Sequence, residues 1–233
     1  MICMMATSIL PNQLMAHRTA AAWDYAKFLI NNYGDKVITE DRKLTKEICN
    51  LHLTIMNPLE GWPINGSGWE MAGLNKYAEQ LMSGENPGFD YSYGNRIREG
   101  LAPIDIDRVA REATMLRILG QEHARDHYGV DQLAFAIQML KDNPSTRRAP
   151  IYIWEPSWDL GSKKHVPCLQ LLDFLIRGGK LQCTAFFRSH DIGRAWVPNV
   201  YGLGQLMKHV ADEVGVPIGG LTTISASAHI YEP

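Results

Sequence analysis

The feature that most constrains the fold is a pair of apolar, strand-like runs, 171–176 and 181–187, separated by a short segment containing two glycines. Gly178 and Gly179 favour a tight turn, so the two runs predict an antiparallel hairpin. Cys168 precedes the first run, and Arg188 follows the second directly. A hairpin would therefore bring a thiol close to a fixed positive charge.

Cys168 and Arg188 together predict a cysteine nucleophile beside an anion-binding site. A nearby guanidinium lowers the pKa of a thiol, and the thiolate is the reactive form. A buried and inert cysteine is nevertheless the more common fate of a single thiol. The pair taken alone therefore leaves both interpretations open.

Composition and charge exclude several classes of function. With 233 residues and 26.2 kDa the chain can bury a substantial core, and we expect one domain over 1–233. The net charge of −2 gives no overall attraction to nucleic acid or anionic membranes, so phosphate recognition must come from locally placed arginines. No apolar run approaches the roughly 18 residues that span a bilayer.

Cysteine usage and the N-terminal segment predict a cytoplasmic protein with reduced thiols. The four cysteines show neither paired spacing nor metal-ligand spacing, which argues against zinc: Cys3, Cys49, Cys168 and Cys183. The apolar N-terminal segment lacks the basic region of a signal peptide. We expect no metal and no membrane partner.

Hydrophobic periodicity predicts helices and strands in mixed order. Helices are predicted over 11–32, 67–82, 130–141 and 199–214. Strands are predicted over 47–56, 149–154, 171–176, 181–187 and 224–231. Segment 106–119 is predicted to be either a helix or an insertion. Because strands and helices do not alternate strictly, the predicted fold class is α+β with a large mixed sheet.

Adjacent arginines, Arg147 and Arg148, lie just before a predicted strand. Neighbouring side chains of an extended segment point to opposite faces, so both can serve one local site only if the backbone turns between them. A solvated surface pair is an equally good interpretation of these two residues alone.

Two further polar motifs lie at the ends of predicted strands. Arg188, Ser189 and Asp191 combine a permanent cation, a hydroxyl group and a carboxylate, and the planar guanidinium suits a phosphate. His229 and Tyr231 are two residues apart on a strand, hence on the same face, where they could bind a sugar hydroxyl.

Taken together, these segments resemble thymidylate synthase and its pyrimidine hydroxymethylase relatives. The matching strings follow the order of that family: Tyr93–Arg96, Asp131–Leu133, Asn143–Arg148, Pro167–Cys168, Arg188–Asp191, Asn199 and His229–Tyr231. The ordered set covers about residues 91–231 and is far more specific than any single motif. Asp41-Arg42 is the best match before it, and the short chain resembles the compact type found in methanogenic archaea.

The resemblance implies a covalent mechanism on a pyrimidine nucleoside 5′-monophosphate. Cys168 would add to C6 and make C5 nucleophilic, while Arg188 favours the thiolate and, with Ser189, holds the phosphate. The co-substrate would be a 5,10-methylene-tetrahydropterin, based on tetrahydrofolate or tetrahydromethanopterin, which supplies the one-carbon chemistry without a metal. Asp191 would order pterin and base, and Tyr93 would help to move the C5 proton.

The resemblance also implies a homodimer that packs sheet to sheet. Arg147 and Arg148 would reach the phosphate bound in the partner subunit, so that adjacent arginines need not face their own cysteine. Arg42, on a loop, would add a further phosphate contact.

The remaining implied contacts concern the sugar and the base. His229 and Tyr231 would bind the 3′-hydroxyl, and Asn199 would recognise the base edge. The Asn199 amide suits uracil O4 and N3–H, but in the rotated orientation it suits cytosine N3 and its amino group.

The chain departs from the family pattern near the nucleophile and in the early helix. Leu169 stands where the family has His, and Asp173 stands where it has Gln. The catalytic glutamate of the family has no secure counterpart, since Glu70 and Glu79 lie near that position while ungapped spacing puts Tyr77 there.

Two reactions and one non-catalytic role follow from this pattern. C5-methylation of dUMP to dTMP is favoured because relatives acting on dCMP carry Asp at the position of Asn199. C5-hydroxymethylation of CMP, dCMP or dUMP, with water as the final nucleophile, is favoured by a chain that stops at Glu232-Pro233, where the family has an extension that excludes water. A non-catalytic nucleotide- or RNA-binding relative would not need Cys168 beside Arg188.

Overall fold

The computed structural model describes residues 12–85, 91–98, 130–162 and 166–232, which form a mixed sheet with helices packed against it. The strands are β1 Gln13–Ala16, β2 Asp35–Ile38, β3 Leu44–Ile55, β4 Pro150–Tyr152, β5 Leu169–Arg177, β6 Lys180–Phe187, β7 His190–Asp191 and β8 Ile218–Tyr231. The helices are α1 Thr19–Tyr33, α2 Met71–Met82, α3 Tyr93–Arg98, α4 Gln132–Asp142, α5 Pro156–Asp159 and α6 Trp196–Val214. None of these helices is both long and apolar enough to cross a membrane. The predicted α+β class is confirmed.

The sheet runs in the order β1-β3-β8-β6-β5-β4, with β2 paired to β3 and β7 paired to β8. β8 is the central strand, antiparallel to β3 and parallel to β6. The predicted hairpin is confirmed, because β5 and β6 pair antiparallel and Arg177 lies opposite Lys180. Gly178 and Gly179 close it with φ angles of 60° and 70°, which L side chains rarely adopt.

The core lies between the helices and one face of the sheet. On β8 the buried side chains alternate, and Leu221, Thr223 and Ser225 point into this core. Trp196 of α6 is fully buried and its Nε1 donates to Thr223 Oγ1 over 3.3 Å. The end of β3 is complementary, because its residues from Leu51 to Ile55 are buried at alternate positions and Leu51 lies opposite Ser225.

The opposite face of the sheet is less covered by the described residues. A polar row crosses four strands there, since Asp173 lies opposite Thr184, Thr184 opposite Thr222, and Thr222 opposite Thr54. Each of these side chains is half-buried. Asp173 Oδ1 is shielded from solvent yet has no hydrogen-bond partner in the part of the chain that the structure describes.

The helix predicted over 11–32 is wrong in its first part. Residues 13–16 form β1, which pairs parallel with residues 52–55 of β3, and α1 begins at Thr19. Leu14, Met15 and Ala16 are good helix formers, but pairing at the sheet edge overrides that local preference.

Other predicted elements are confirmed with shifted ends. The helices predicted over 67–82, 130–141 and 199–214 correspond to α2, α4 and α6. The strands predicted over 47–56, 149–154 and 224–231 correspond to β3, β4 and β8, and β8 begins earlier, at Ile218. The short elements β2, α3, α5 and β7 were not predicted, and segment 106–119 lies outside the described residues.

Candidate active site

A cavity of about 530 Å³ lies where the hairpin and β8 meet α2 and α6. We call the lining residues from the strand ends the strand wall: Cys168, Ser189, His190, Asp191, His229 and Tyr231. We call those from α2 and the start of α3 the helix wall: Tyr77, Gln80, Leu81, Tyr91, Ser92 and Tyr93. Ala195 and Asn199, at the start of α6, complete the lining.

Backbone and guanidinium hydrogen bonds hold the segment that carries Cys168. The Arg188 backbone N–H donates to the Cys168 carbonyl over 2.9 Å. The Arg188 side chain donates through Nε to the Pro167 carbonyl and through Nη2 to the Val166 carbonyl, at 3.0 and 2.9 Å. Nη2 also lies 4.0 Å from Cys168 Sγ. The hairpin thus brings thiol and guanidinium together, as predicted.

The predicted effect of Arg188 on the pKa of Cys168 is present, but burial outweighs it. Arg188 acts in the predicted direction, but burial raises the pKa of Cys168 by more than the guanidinium lowers it, and Asp191 raises it further. The pKa of the thiol therefore lies above its ordinary value, and the protonated form is favoured at neutral pH.

Tyr93 enters the cavity from α3 because that helix sits very close to the end of α2. A Cβ at Gly94 would lie only 2.2 Å from the Gln80 carbonyl oxygen, so glycine is required for this approach. Tyr93 Oη accepts a hydrogen bond from the Leu169 backbone N–H over 3.3 Å, next to the nucleophile. Burial raises the pKa of Tyr93 well above its ordinary value, so the phenol keeps its proton.

An ion pair in the core fixes α3 to α5. Arg96 Nη2 lies 3.1 Å from Asp159 Oδ1, and both side chains are at most 7% exposed. Asp159 Oδ2 also accepts the Glu155 backbone N–H over 2.8 Å. Gln132 joins the Arg96 and Tyr152 carbonyls through its Nε2, so the helix wall is tied to β4.

Asn199 lies in the first turn of α6 with its amide between two side chains. The Tyr77 hydroxyl donates to Asn199 Oδ1, and Nδ2 lies 3.2 Å from His190 Nε2. His190 is stacked on Phe187 at a centroid distance of 3.7 Å, and its Nδ1 lies 3.0 Å from Ser225 Oγ. His190 is thus buried and held by contacts with three other side chains.

His229 and Tyr231 share one face of β8, as predicted, and their rings meet edge to face at 5.2 Å. Burial lowers the pKa of His229, although Asp191 acts in the opposite direction. Asp191 Oδ1 accepts the Arg194 backbone N–H over 3.0 Å, which orients its carboxylate at the cavity. The strand wall therefore offers a neutral imidazole, a phenol and a carboxylate.

None of the four predicted arginines lines the cavity, and only Arg188 borders it, through its contact with Cys168. Arg147 and Arg148 are exposed in the segment before β4. Arg42 is exposed as well, with a positive φ of 60°, in the turn between β2 and β3. That turn is closed by the Arg42 N–H, which donates to the Thr39 carbonyl over 2.8 Å.

The helix wall is the part of the cavity that sequence reasoning largely missed. Glu70 and Glu79, weighed as the catalytic acid, are exposed and do not line the cavity, whereas Tyr77 does. The ungapped spacing that put Tyr77 at this position was the usable signal. Tyr91 also lines the cavity, and its ring lies 5.6 Å from that of Tyr93.

The arrangement suits covalent catalysis by a cysteine on a planar, anionic substrate. A thiol lies beside a guanidinium, an amide points in from α6, and neutral phenols cover the remaining side. Within the described ranges, no group of three or more His, Cys, Asp and Glu side chains is placed to hold a metal ion.

Comparison with known proteins gives a consistent result. The family model described as thymidylate synthase matches residues 21–233. A protein provisionally named thymidylate synthase from Methanothermobacter thermautotrophicus is 39% identical, over 98% of this chain and 95% of its own length. Similarly named proteins from Methanosarcina barkeri and Methanocaldococcus jannaschii are 37% and 32% identical, over 91% and 85% of this chain and 85% and 81% of their own lengths.

The chain therefore belongs to the thymidylate synthase family. Members of this family are enzymes that transfer a one-carbon unit to a pyrimidine nucleoside monophosphate from a methylene-tetrahydrofolate-type co-substrate.

Proposed function

We propose that this protein methylates dUMP at C5 to give dTMP, using a methylene-tetrahydropterin as one-carbon donor. One observation carries the proposal: Cys168 Sγ lies 4.0 Å from the Arg188 guanidinium in a cavity that Asn199, His229 and Tyr231 also line. The cavity lining would thus offer a nucleophile, a base contact and a sugar contact, and Arg188 beside Cys168 would offer an anion contact.

Phosphate and sugar binding would orient the nucleotide. The exposed guanidinium of Arg188 and the hydroxyl of Ser189 suit the 5′-phosphate, because charge-assisted hydrogen bonds to phosphate oxygens are strong and directional. His229 and Tyr231 present two polar tips on one side of β8, which suits a 3′-hydroxyl group. With its phosphate and its sugar both bound, the nucleotide would lie with C6 of its base near Cys168.

The thiolate of Cys168 forms a bond to C6, and the displaced π electrons move toward C5 and O4. Hydrogen-bond donation from the Asn199 amide to O4 would stabilise the developing negative charge. Burial raises the pKa of Cys168 in the free enzyme, so the thiol is protonated before it reacts. The thiol would give up its proton to water as the base arrives, and the adjacent Arg188 guanidinium would stabilise the thiolate.

The cavity also fits a pterin. The Leu81 side chain and the Tyr91 ring give an apolar surface close to the nucleophile, and the Asp191 carboxylate can accept N–H groups of a heterocycle. When bound, the co-substrate supplies the one-carbon unit and the hydride that completes the methyl group. Tyr93, whose phenol keeps its proton beside Leu169, would relay to water the proton that leaves C5.

We also propose a homodimer in which the open face of the sheet is the interface. The row from Asp173 to Thr54 crosses that face, and the orphaned Asp173 Oδ1 would obtain a partner there. Arg147 and Arg148 do not line their own cavity, so a second chain would give them a phosphate to bind. Mixing inactive Cys168→Ala with inactive Arg147→Ala/Arg148→Ala chains should restore part of the activity if the arginines act across the interface.

Product analysis tests the reaction directly. The purified protein would be incubated separately with dUMP, dCMP and CMP, with methylene-tetrahydrofolate or methylene-tetrahydromethanopterin, and the nucleotides weighed by mass spectrometry. We expect dUMP to gain CH2, the mass of a methyl group replacing hydrogen. A gain of CH2O on any of these nucleotides would instead assign hydroxymethylation, and no gain on any would refute one-carbon transfer.

A further inference from the structure

The Asn199 amide is hydrogen-bonded at both ends by side chains outside the proposed set of substrate contacts. Tyr77, from α2, donates to Oδ1, and Nδ2 lies 3.2 Å from His190 Nε2. His190 Nδ1 continues the chain to Ser225 Oγ over 3.0 Å. We call Tyr77, His190 and Ser225 the amide clamp.

The hydrogen bonds of the amide clamp run in one direction. Burial, with a contribution from His229, lowers the pKa of His190 to about 3, so its ring is neutral and has a single N–H. If Nδ1–H donates to Ser225, then Nε2 accepts from Asn199, and the Tyr77 hydroxyl donates to the amide oxygen. If the amide were rotated, its nitrogen would face the Tyr77 hydroxyl. The hydroxyl hydrogen would then lose Asn199 Oδ1, the one acceptor that the described residues provide for it.

Packing holds the same side chains in place. Gly202 lies one helical turn beyond Asn199, and a Cβ there would come within 3.2 Å of Tyr77 Cδ1, so the missing side chain leaves room for the phenol. His190 is only 1% exposed and is stacked on Phe187. Rotation of the Asn199 amide would therefore break bonds to partners that cannot follow it.

The histidine of the amide clamp lies at a different position in the chain from the histidine of the family pattern. Leu169 stands where a histidine follows the nucleophile in the family, and His190 brings an imidazole to the same cavity from β7. Tyr77, which ungapped spacing puts at the position of the family's glutamate, lines the helix wall.

We propose that Tyr77 and His190 are positioning residues that fix the orientation of the Asn199 amide and thereby restrict the cavity to one pyrimidine base. The proposal rests on the proposed function and adds to it the means by which the base is chosen. A fixed amide presents its acceptor and its donor at set places. The base with the opposite pattern at N3 and C4 would leave two buried polar groups unpaired, and that mismatch is strongly disfavoured.

The test is the affinity of the protein for dUMP and dCMP, measured by calorimetry in wild type, Tyr77→Phe and His190→Leu. We expect wild type to prefer dUMP by about 100-fold or more, and each variant to reduce that preference by about tenfold. Tyr201→Phe is the matched control, because Tyr201 also donates from its phenol to a carboxamide, Asn75 Oδ1 at 2.5 Å, across the same two helices but outside the cavity. It should leave the preference unchanged.

An unchanged preference in Tyr77→Phe and His190→Leu would overturn the proposal, as would an equal loss in Tyr201→Phe. If wild type binds both nucleotides equally well, the positioning role alone fails. If it binds neither, the proposed function fails and this inference falls with it.

A second measurement does not depend on the folding of His190→Leu. Nitrogen NMR of the His190 ring in wild type should show a neutral Nδ1–H tautomer throughout about pH 5 to 8. A ring that takes up a proton near the ordinary histidine pKa of about 6.5, or that has its hydrogen on Nε2, would contradict the amide clamp.

Discussion

The two walls of the cavity are built in different ways. The strand wall holds the thiol, the Asp191 carboxylate and the His229 imidazole at the ends of paired strands, where ladder hydrogen bonds fix the backbone. The helix wall holds neutral phenols on α2 and α3, and its position depends on close helix packing at Gly94 and Gly202. The reactive groups therefore lie on the strand wall, which strand pairing makes rigid, whereas the packing of the helix wall sets the shape of the cavity.

The largest expected effect concerns the ion pair that anchors the helix wall. Asp159→Ala would leave Arg96 charged and unpaired in the core, and we expect it to lower the free energy of unfolding by about 3–5 kcal/mol. Urea denaturation measures this. The exposed pair Lys208–Asp212 is the control, since Asp212→Ala should cost less than about 1 kcal/mol.

Replacing both members of the buried pair sharpens that result. Arg96→Met/Asp159→Leu should recover most of the lost stability, because no buried charge remains. Equal costs for Asp159→Ala and Asp212→Ala would show that the ion pair does not anchor the helix wall.

The next largest effect concerns the strand wall. Arg188→Gln removes the cation beside Cys168 and its bonds to the Pro167 and Val166 carbonyls, and we expect kcat/KM to fall by about 100- to 1000-fold. Steady-state kinetics with dUMP measure this. Arg194 lies exposed near the Tyr231 ring, so Arg194→Gln is a matched loss of charge and should change kcat/KM far less. Similar losses in both variants would remove the special role of Arg188.

A smaller effect is expected when the helix wall is crowded. Gly202→Ala would place a methyl group within 3.3 Å of the Tyr77 ring and Leu81, and overpacking of this kind costs about 1–3 kcal/mol. Gly204→Ala meets the Pro58 carbonyl at a similar distance of 3.2 Å but lies away from Tyr77. Both variants should lose stability in thermal denaturation, and only Gly202→Ala should also lose affinity for dUMP. Equal affinity losses would contradict a direct link between Tyr77 packing and the site.

The smallest expected effect is on the pH dependence of thiol reactivity. Thiolate forms as pH rises through the pKa, and burial raises the pKa of Cys168, so alkylation of the free enzyme should be half-maximal above about pH 8.5, the midpoint of an ordinary cysteine. Arg188→Gln should move this midpoint still higher, because the guanidinium lowers the pKa. Iodoacetamide labelling followed by peptide mass spectrometry measures it in Cys168 specifically. A midpoint below that of free cysteine would show that Arg188 outweighs burial.

The two walls also differ in how far the sequence predicts them. The hairpin, the pairing of His229 with Tyr231 on one face, and the proximity of Cys168 to Arg188 follow from local alternation and from a two-glycine turn. The helix wall depends on contacts between residues far apart in the chain, such as Tyr77 with Asn199, which no local pattern encodes.

Two features of the molecule depend on the folded structure rather than on local sequence. Residues 13–16 were predicted to be helical, and they form a strand because the edge of β3 offers hydrogen bonds that a helix prediction does not consider. Arg188 lowers the pKa of Cys168, as predicted, but the burial that outweighs it depends on the folded cavity and could not be predicted from neighbouring residues. Tertiary context decided both.

The central claim is that Cys168 attacks C6 and thereby activates C5 of a pyrimidine nucleotide. Release of tritium to water from dUMP labelled at C5, with a methylene-tetrahydropterin present, measures that activation whichever group is then added. We predict release by wild type and by Cys49→Ala, whose thiol is exposed and outside the cavity, and none by Cys168→Ala. Continued tritium release by Cys168→Ala would contradict the account.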